Sequence, residues 1–208
     1  MDRFTRLEGI AASLAQPNVD TDVIIRVERC ARVPRQELGR WAFEALRYRP
    51  DGSENPDFVL NREPWRRARI LVCGENFGCG SSREMAVWAI AGMGIRCLIA
   101  PSFGDIFFNN CFQNGVLAVR LDSATVARLH ALASDPDTAT MTVDLERLKI
   151  GTADGGEIAF EVAPLERRAL LEGLDPIGLT LTLEERIAAF QALDRARRPW
   201  VYFAGPAT

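Results

Sequence analysis

Short apolar runs, each followed by a polar or glycine-containing turn and then by a segment of helical period, fill the middle of the chain. Three runs predict buried strands: ARILVCG (68–74), RCLIA (96–100) and GVLAVRL (115–121). Helices are predicted after them: SSREMAVWAIAG (81–92), the segment 103–112, and DSATVARLHAL (122–132) with Asp122 as its N-cap. This alternation of strand, loop and helix predicts an α/β core.

The two ends of the chain have different patterns. VDTDVIIRV (19–27) predicts a polar turn followed by a strand, and PRQELGRWAFEALR (34–47) predicts a helix. MTVDLERLKI (141–150) and GEIAFEV (156–162) predict antiparallel strands. A last helix is predicted to begin at a capping box from Thr182 to Glu185 and to end before Pro199. We therefore expect one domain over 1–178 and a helical extension over 179–208.

The amino-acid composition argues against several classes of function. The 208 residues are 48% hydrophobic and 25% charged, and the formal net charge is -3, which argues against nucleic acid or an anionic membrane as the main partner. Five cysteines without a CxxC pair and a single histidine make a metal site within this chain improbable. No segment has the length and apolarity of a membrane span or signal peptide, so we expect a cytoplasmic protein with reduced thiols.

The stretch GENFGCGSSRE (74–84) is the best candidate site. Its glycines allow close backbone approach to a ligand, and a predicted helix start carries two hydroxyls and an arginine, a combination that suits an anion. Ser81 and Glu84 also have the spacing of a capping box, so plain helix capping stays open. Cys79 is either a small side chain in a tight loop or a reactive thiol. His130 lies far away in sequence and is expected to be structural.

Two further stretches place polar groups among apolar ones. Asp20 and Asp22 stand before the predicted strand of VDTDVIIRV and could orient a substrate or a partner's side chain, although aspartate is also a common turn residue. The stretch SFGDIFFNNCFQNG (102–115) sets polar side chains among phenylalanines, and we expect it to be a scaffold behind the site. Its polar members are Asp105, Asn109, Asn110 and Asn114.

Taken together, four motifs resemble the small subunits of 3-isopropylmalate dehydratase, the detached counterpart of the swivelling domain of aconitase. They are NVDTDVII (18–25), NPDFVLN (55–61), GENFGCGSSRE (74–84) and APSFGDIFFNNCFQNGVL (100–117). The resemblance covers most of residues 5–135, and the segment IAAFQALDRARRPW resembles the family's C-terminal end. It implies an α/β fold of the swivelling β/β/α three-layer type, similar to domain 4 of aconitase, with a C-terminal helical extension.

The resemblance also implies a function. Members interconvert 2-isopropylmalate and 3-isopropylmalate by dehydration and rehydration in leucine biosynthesis, beside a large subunit that holds a [4Fe–4S] cluster; none is expected on this chain. On that pattern Ser81 is the catalytic base and Arg83 supports it. Gly80, Ser82 and Arg83 would bind the substrate, whereas Thr21 and Asp22 would support the site, Asp22 by pairing with a partner residue.

The chain departs from the family pattern at two places. Met85 replaces a histidine after SSRE, and Arg26, Arg29 and Cys30 occupy the substrate-specificity loop, where apolar residues would suit an isopropyl group. Two alternatives therefore stay open beside the dehydratase: a related hydro-lyase for another substituted malate, and a binding or regulatory paralogue with impaired catalysis. A thiol enzyme built on Cys79 ranks last.

Overall fold

The computed structural model describes residues 1–202 and contains one sheet of seven strands in the order β4-β3-β2-β1-β5-β6-β7. The strands are β1 (Arg6–Leu14), β2 (Ile70–Cys73), β3 (Cys97–Ala100), β4 (Leu117–Arg120), β5 (Thr140–Asp144), β6 (Lys149–Thr152) and β7 (Glu157–Ala159). The helices are α1 (Thr21–Ile24), α2 (Val27–Arg32), α3 (Glu44–Arg47), α4 (Glu84–Gly92), α5 (Asp105–Gln113), α6 (Ser123–Ser134), α7 (Pro164–Glu172), α8 (Pro176–Leu181) and α9 (Glu184–Arg197).

Strands β1 to β4 form the parallel half of the sheet. Residues of β2 and β3 are buried throughout, as expected for strands covered on both faces. Helices α4 and α5 connect successive parallel strands, and their apolar faces pack on the core. The three strands predicted in the middle of the chain (β2, β3 and β4) and the helices after them are confirmed. The predicted Asp122 cap is also confirmed, since its carboxylate accepts from the Thr125 N–H at 3.0 Å.

Strand β1 is shared by both halves of the sheet. It pairs with β2 in parallel and with β5 antiparallel, and β5, β6 and β7 continue antiparallel. Antiparallel strands beyond Ser134 are therefore present as predicted, but the segment 141–150 contains two of them, β5 and β6, joined by a turn at 145–148. Strand β1 itself was not predicted, because its glycine and scattered charges give RLEGIAASL no strict alternation.

The strand predicted within 19–27 was wrong, and the helix predicted over 34–47 is present but interrupted. Residues 21–24 form α1 instead of a strand, because the Asp20 carboxylate caps the turn by accepting from the Val23 N–H at 2.8 Å. The segment 34–47 is a 3-10 helix (Arg35–Trp41) and then α3, separated by Phe43 with φ of 55°. The 3-10 helix packs tightly on α4, since a side chain at Gly39 would strike the backbone of Gly92.

The C-terminal region is helical, as predicted, but begins earlier. Helices α7 and α8 were not predicted, and the expected domain boundary at residue 178 lies inside α8. The predicted capping box does not form, because the Thr182 hydroxyl donates to the Leu179 carbonyl and Leu183 is the N-cap of α9. Helix α9 leaves Phe190 and Leu193 exposed. The last six residues of the predicted extension lie outside the described residues.

Among residues 1–202, no helix combines the length and the apolarity needed to cross a membrane.

Candidate active site

Three loops meet where β1, β2 and β3 end, the edge of a parallel sheet at which ligands commonly bind. The loop after β2 lies between the other two. Its Gly78 N–H donates to the Val19 carbonyl at 2.7 Å, and its Phe77 N–H donates to the Ser102 carbonyl at 3.1 Å. The Asn76 side chain also donates to the Asn18 side chain at 2.8 Å. These hydrogen bonds fix GENFGCGSSRE against both neighbouring loops.

Two glycines let the loop reach this position. Gly78 has φ of 72°, and a Cβ there would collide with the Phe107 ring of α5. Gly80 has φ of 91° and lies against Asp20 and Thr21. Left-handed backbone and close packing both favour glycine, so the glycines shape the loop that precedes Ser81.

Ser81 and Ser82 are exposed at the end of this loop. The Thr21 hydroxyl donates to the Ser81 carbonyl at 3.2 Å, which anchors the backbone from which the Ser81 hydroxyl projects. A cavity of about 240 Å³ adjoins Ser81, and its lining is Gly78–Ser81 and Gly104–Phe107. The structure therefore brings Gly80, Ser81 and Thr21 together, while their roles in binding and catalysis stay predictions.

The Arg83 side chain is the cation of the site. Its Nη1 lies 2.7 Å from Oδ1 of Asp22 and its Nη2 lies 2.9 Å from Oδ2, so the pair is bidentate. Nη1 also faces the Ile25 carbonyl at 3.4 Å, and Nη2 is 3.5 Å from the Ser81 hydroxyl. The hydrogen bond to Asp22 raises the pKa of Arg83 above the ordinary value of an arginine, so this side chain stays positively charged. Pairing of Asp22 with a partner residue stays a prediction, but within this chain its carboxylate is engaged by Arg83.

Helix α4 begins later than predicted, and the capping box from Ser81 does not form. Arg83 is the N-cap and supplies no side-chain cap. The Glu84 carboxylate instead accepts from the Asn114 side chain at 2.8 Å, while the Asn114 oxygen accepts from the Trp88 indole at 2.8 Å and from Arg35 at 3.2 Å. Asn114 thus joins α4 to the end of α5, which supports the expectation that 102–115 is a scaffold.

The predicted specificity loop is the short helix α2 and its N-cap, Arg26. Nε of Arg29 donates to Glu44 at 3.0 Å, and the guanidinium lies 3.5 Å above the Trp41 ring. This pairing lowers the pKa of Glu44. Burial raises the pKa of the Cys30 thiol, and the positive charge of Arg83 partly opposes this shift.

The other singled-out residues lie as follows. His130 shares a hydrogen bond with Ser13, with Nδ1 and the hydroxyl 2.9 Å apart, and is therefore not paired with Ser81 or Ser82. Met85 packs against the hydrophobic core. Cys79 lies in the loop, where its carbonyl accepts from the Thr21 N–H at 2.9 Å. Within the described part of the chain, no three His, Cys, Asp or Glu side chains are grouped to hold a metal ion.

Comparison with known proteins places this geometry in a family. The Aconitase C-terminal domain family matches residues 1–124, a LeuD family matches 127–164, and the C-terminal domain family of 3-isopropylmalate dehydratase small subunits matches 177–204. The chain is 52% identical to the 3-isopropylmalate dehydratase small subunit of Paramagnetospirillum magneticum, over 97% of this chain and 100% of that one. The chain belongs to the family of 3-isopropylmalate dehydratase small subunits.

Other members agree with this assignment. The small subunit of Rhodospirillum rubrum is 50% identical over 98% of this chain and 99% of its own. The crystal structure of the 3-isopropylmalate dehydratase LeuD of Methanocaldococcus jannaschii superposes with a TM-score of 0.65 at 26% identity, covering 89% of this chain and 99% of the archaeal one. The predicted family, fold class and aconitase-type hydro-lyase class are confirmed. Membership among small subunits implies a large-subunit partner.

Proposed function

We propose that this chain, with a large subunit, interconverts 2-isopropylmalate and 3-isopropylmalate in leucine biosynthesis. The observation that carries the proposal is the exposed Ser81 hydroxyl, held 3.5 Å from the Arg83 guanidinium at the edge where three loops meet. Family membership supports the reaction class, since a hydro-lyase needs a base at a carbon acid and a cation beside the substrate's carboxylates.

In this reaction Ser81 Oγ, as the alkoxide, takes the proton from the carbon beside a carboxylate. The electron pair of that C–H bond forms a double bond, and the hydroxyl on the neighbouring carbon leaves as hydroxide. An acid group of the large subunit would protonate this hydroxide, so that the products are isopropylmaleate and water while Ser81 holds the abstracted proton. Return of the proton and of water with their positions exchanged gives the isomer. Arg83 favours the Ser81 alkoxide because a positive charge beside an oxygen stabilises its deprotonated form.

Substrate binding falls to the same short segment. The Gly80 backbone and the Ser82 hydroxyl lie beside Ser81 and suit a carboxylate. Asp22 already occupies two guanidinium nitrogens of Arg83. Arg83 therefore binds a substrate carboxylate by sharing those donors or by releasing Asp22, and Asp22 holds the guanidinium in place before substrate arrives.

The [4Fe–4S] cluster belongs to the large subunit in this proposal. The described residues of this chain offer no group of metal ligands, and Cys73, Cys97 and Cys111 are buried in the core. When bound in the partner, the cluster would supply Lewis-acid help to the departing hydroxyl. The contribution of this chain is the base and the carboxylate-binding groups.

The substrate assignment rests on how α2 packs. Arg29, the charge that argued against an isopropyl substituent, is bound by Glu44 and stacked on Trp41. It is therefore not a free cation for a second acidic group on the substrate. Burial raises the pKa of Cys30, the other residue of α2 singled out above, so its thiol adds no negative charge near neutral pH. With Arg29 neutralised and Cys30 uncharged, α2 favours an apolar substituent over an acidic one.

The deciding experiment measures turnover of 2-isopropylmalate by this chain reconstituted anaerobically with its large subunit. We expect turnover that needs both components, and loss of turnover in Ser81→Ala with assembly unchanged. Cys79→Ala, the neighbouring loop variant, is the matched control and should retain activity.

The remaining outcomes separate the alternatives. Full turnover by Ser81→Ala would remove the base assignment. A stable complex with an intact cluster that converts a different substituted malate would identify the related hydro-lyase. A stable complex inactive on all substituted malates would identify the regulatory paralogue, and alkylation-sensitive activity of the isolated chain would identify the thiol enzyme.

A further inference from the structure

A basic region interrupts an otherwise acidic protein. The whole chain has a net charge of -3, yet residues 26–49 hold seven arginines and three glutamates. A concentration of one charge sign in a short segment raises the local concentration of ligands of the opposite sign. The region is therefore a candidate for anion recognition apart from the Ser81 loop.

A large cavity opens in this region. Its volume is about 720 Å³, within the range of small-molecule sites. The lining residues are Arg26, Arg40, Trp41, Glu44, Ala45, Tyr48, Arg49, Pro50 and Gly52. No lining residue is shared with the 240 Å³ cavity beside Ser81.

The walls of this cavity are held in place by contacts behind them. Glu44 and Trp41 are fixed by Arg29, through the ion pair and the stacking contact described above. Another wall is a turn in which the Arg49 N–H donates to the Ser53 carbonyl at 2.8 Å. The Tyr48 hydroxyl also donates to the Arg40 carbonyl at 3.4 Å. A preformed cavity loses less entropy on binding than one that must be ordered.

The charges that line the cavity are mostly uncompensated. Glu44 is neutralised by Arg29, and Arg26 has only a loose contact of 3.7 Å with Glu28. Within residues 1–202, the structure gives Arg40 and Arg49 no carboxylate partner. Three guanidinium groups around one cavity, with Trp41 and Tyr48 as flat walls, suit a small anion with more than one negative group.

We propose that this cavity is a second ligand site, which binds a multivalent small-molecule anion of the carboxylate or phosphate class. The site goes beyond the proposed dehydratase activity, because its lining includes no residue of the Ser81 loop and only Arg26, at the edge of the cavity, belongs to the predicted specificity loop. Arg40 and Arg49 bind the anion, and Arg26 contributes a third positive charge.

The test is isothermal titration calorimetry of the full chain at a fixed ionic strength of about 0.15 M, where weak surface attraction is screened. One titration uses inorganic pyrophosphate and the other uses tricarballylate. The probe with the lower dissociation constant identifies phosphate or carboxylate as the preferred ligand class. We expect one site per chain. Arg40→Gln and Arg49→Gln should each weaken binding about three- to tenfold, the loss of one partly exposed charged contact.

Two further variants serve as controls for the loss of charge. Arg186→Gln removes the same charge from exposed α9, outside the cavity, and should bind like the wild type. Arg49→Lys keeps the charge without the planar fork and should lose less than Arg49→Gln. All variants are first checked for an unchanged melting temperature.

Three results would overturn the proposal: no binding of either probe, an equal loss in Arg186→Gln, or displacement of the bound probe by 2-isopropylmalate. The last result would assign the cavity to the substrate. None of these measurements requires turnover, so failure of the second site and failure of the dehydratase proposal are separately visible.

Discussion

The Asp22 carboxylate and the Arg83 guanidinium form a bidentate pair, with contacts of 2.7 Å and 2.9 Å, between residues 61 positions apart in sequence. The pair joins α1, which follows the loop after β1, to the N-cap residue of α4. Arg83 is well covered, with 14% of its side chain exposed, whereas Asp22 is 58% exposed. Asp22 therefore positions a cation next to Ser81 from the solvent side.

Replacing Asp22 tests this positioning role. Asp22→Asn should lower kcat/KM of the reconstituted complex about tenfold or more, because the negative charge of the ion pair is lost and the Arg83 guanidinium is less well oriented. The melting temperature should change little, since partly exposed ion pairs contribute little to stability. Steady-state kinetics with Asp57→Asn, an exposed loop carboxylate, as control provides the check. Equal kinetics for both variants would refute the role.

The packing of Gly78 can be separated from its backbone strain. Gly78→Ala should reduce the free energy of unfolding by about 2–4 kcal/mol, since the new methyl group meets both a left-handed φ and the Phe107 ring. Gly52→Ala is the matched control, because Gly52 has φ of 82° and nothing within 4 Å. It should lose only about 1 kcal/mol. Urea unfolding of both variants measures the difference, and similar losses would show that the Phe107 contact is unimportant.

The hydrogen-bond network of Asn114 predicts a loss of stability. Asn114→Ala leaves the Trp88 indole and the Glu84 carboxylate without their partner, so the free energy of unfolding should fall by about 2–3 kcal/mol. Asn109→Ala, on an exposed face of α5, should change it by less than about 0.5 kcal/mol. Denaturant titrations decide the point, and equal stabilities of the two variants would contradict it.

His130 predicts a dependence of stability on pH. Burial lowers the pKa of His130 from its ordinary value of 6.5, although a hydrogen bond to the Cys73 backbone partly opposes this. The folded state therefore disfavours the protonated ring. This contribution to stability is fully present above pH 6.5 and is lost as the pH falls through the lower folded-state pKa.

His130→Gln cannot protonate and should show a shallower loss of stability below pH 6.5 than the wild type. Melting temperatures of both proteins from about pH 5 to 8 provide the measurement. Parallel curves would show that His130 does not titrate differently in the folded and unfolded states.

The parallel half of the sheet could be predicted because β2 and β3 are uninterrupted apolar runs flanked by turn residues. The candidate site is visible in the sequence because glycines, serines and an arginine are contiguous in GENFGCGSSRE. The strand predicted within 19–27 was wrong because Asp20 caps a helical turn there. The single helix predicted over 34–47 is two shorter helices, because Phe43 takes a left-handed conformation between them. Neither effect appears in a hydrophobic pattern.

The sequence by itself determined the α/β core, the candidate base Ser81, its neighbour Arg83 and the family, since these depend on local composition and on contiguous motifs. Only the tertiary structure decided that Asp22 holds Arg83, that Arg29 is bound by Glu44 and that Asn114 joins α4 to α5. Each of these contacts joins residues of separate elements that only packing brings together. A pattern along the chain records the order of residues and not the distance in space between them.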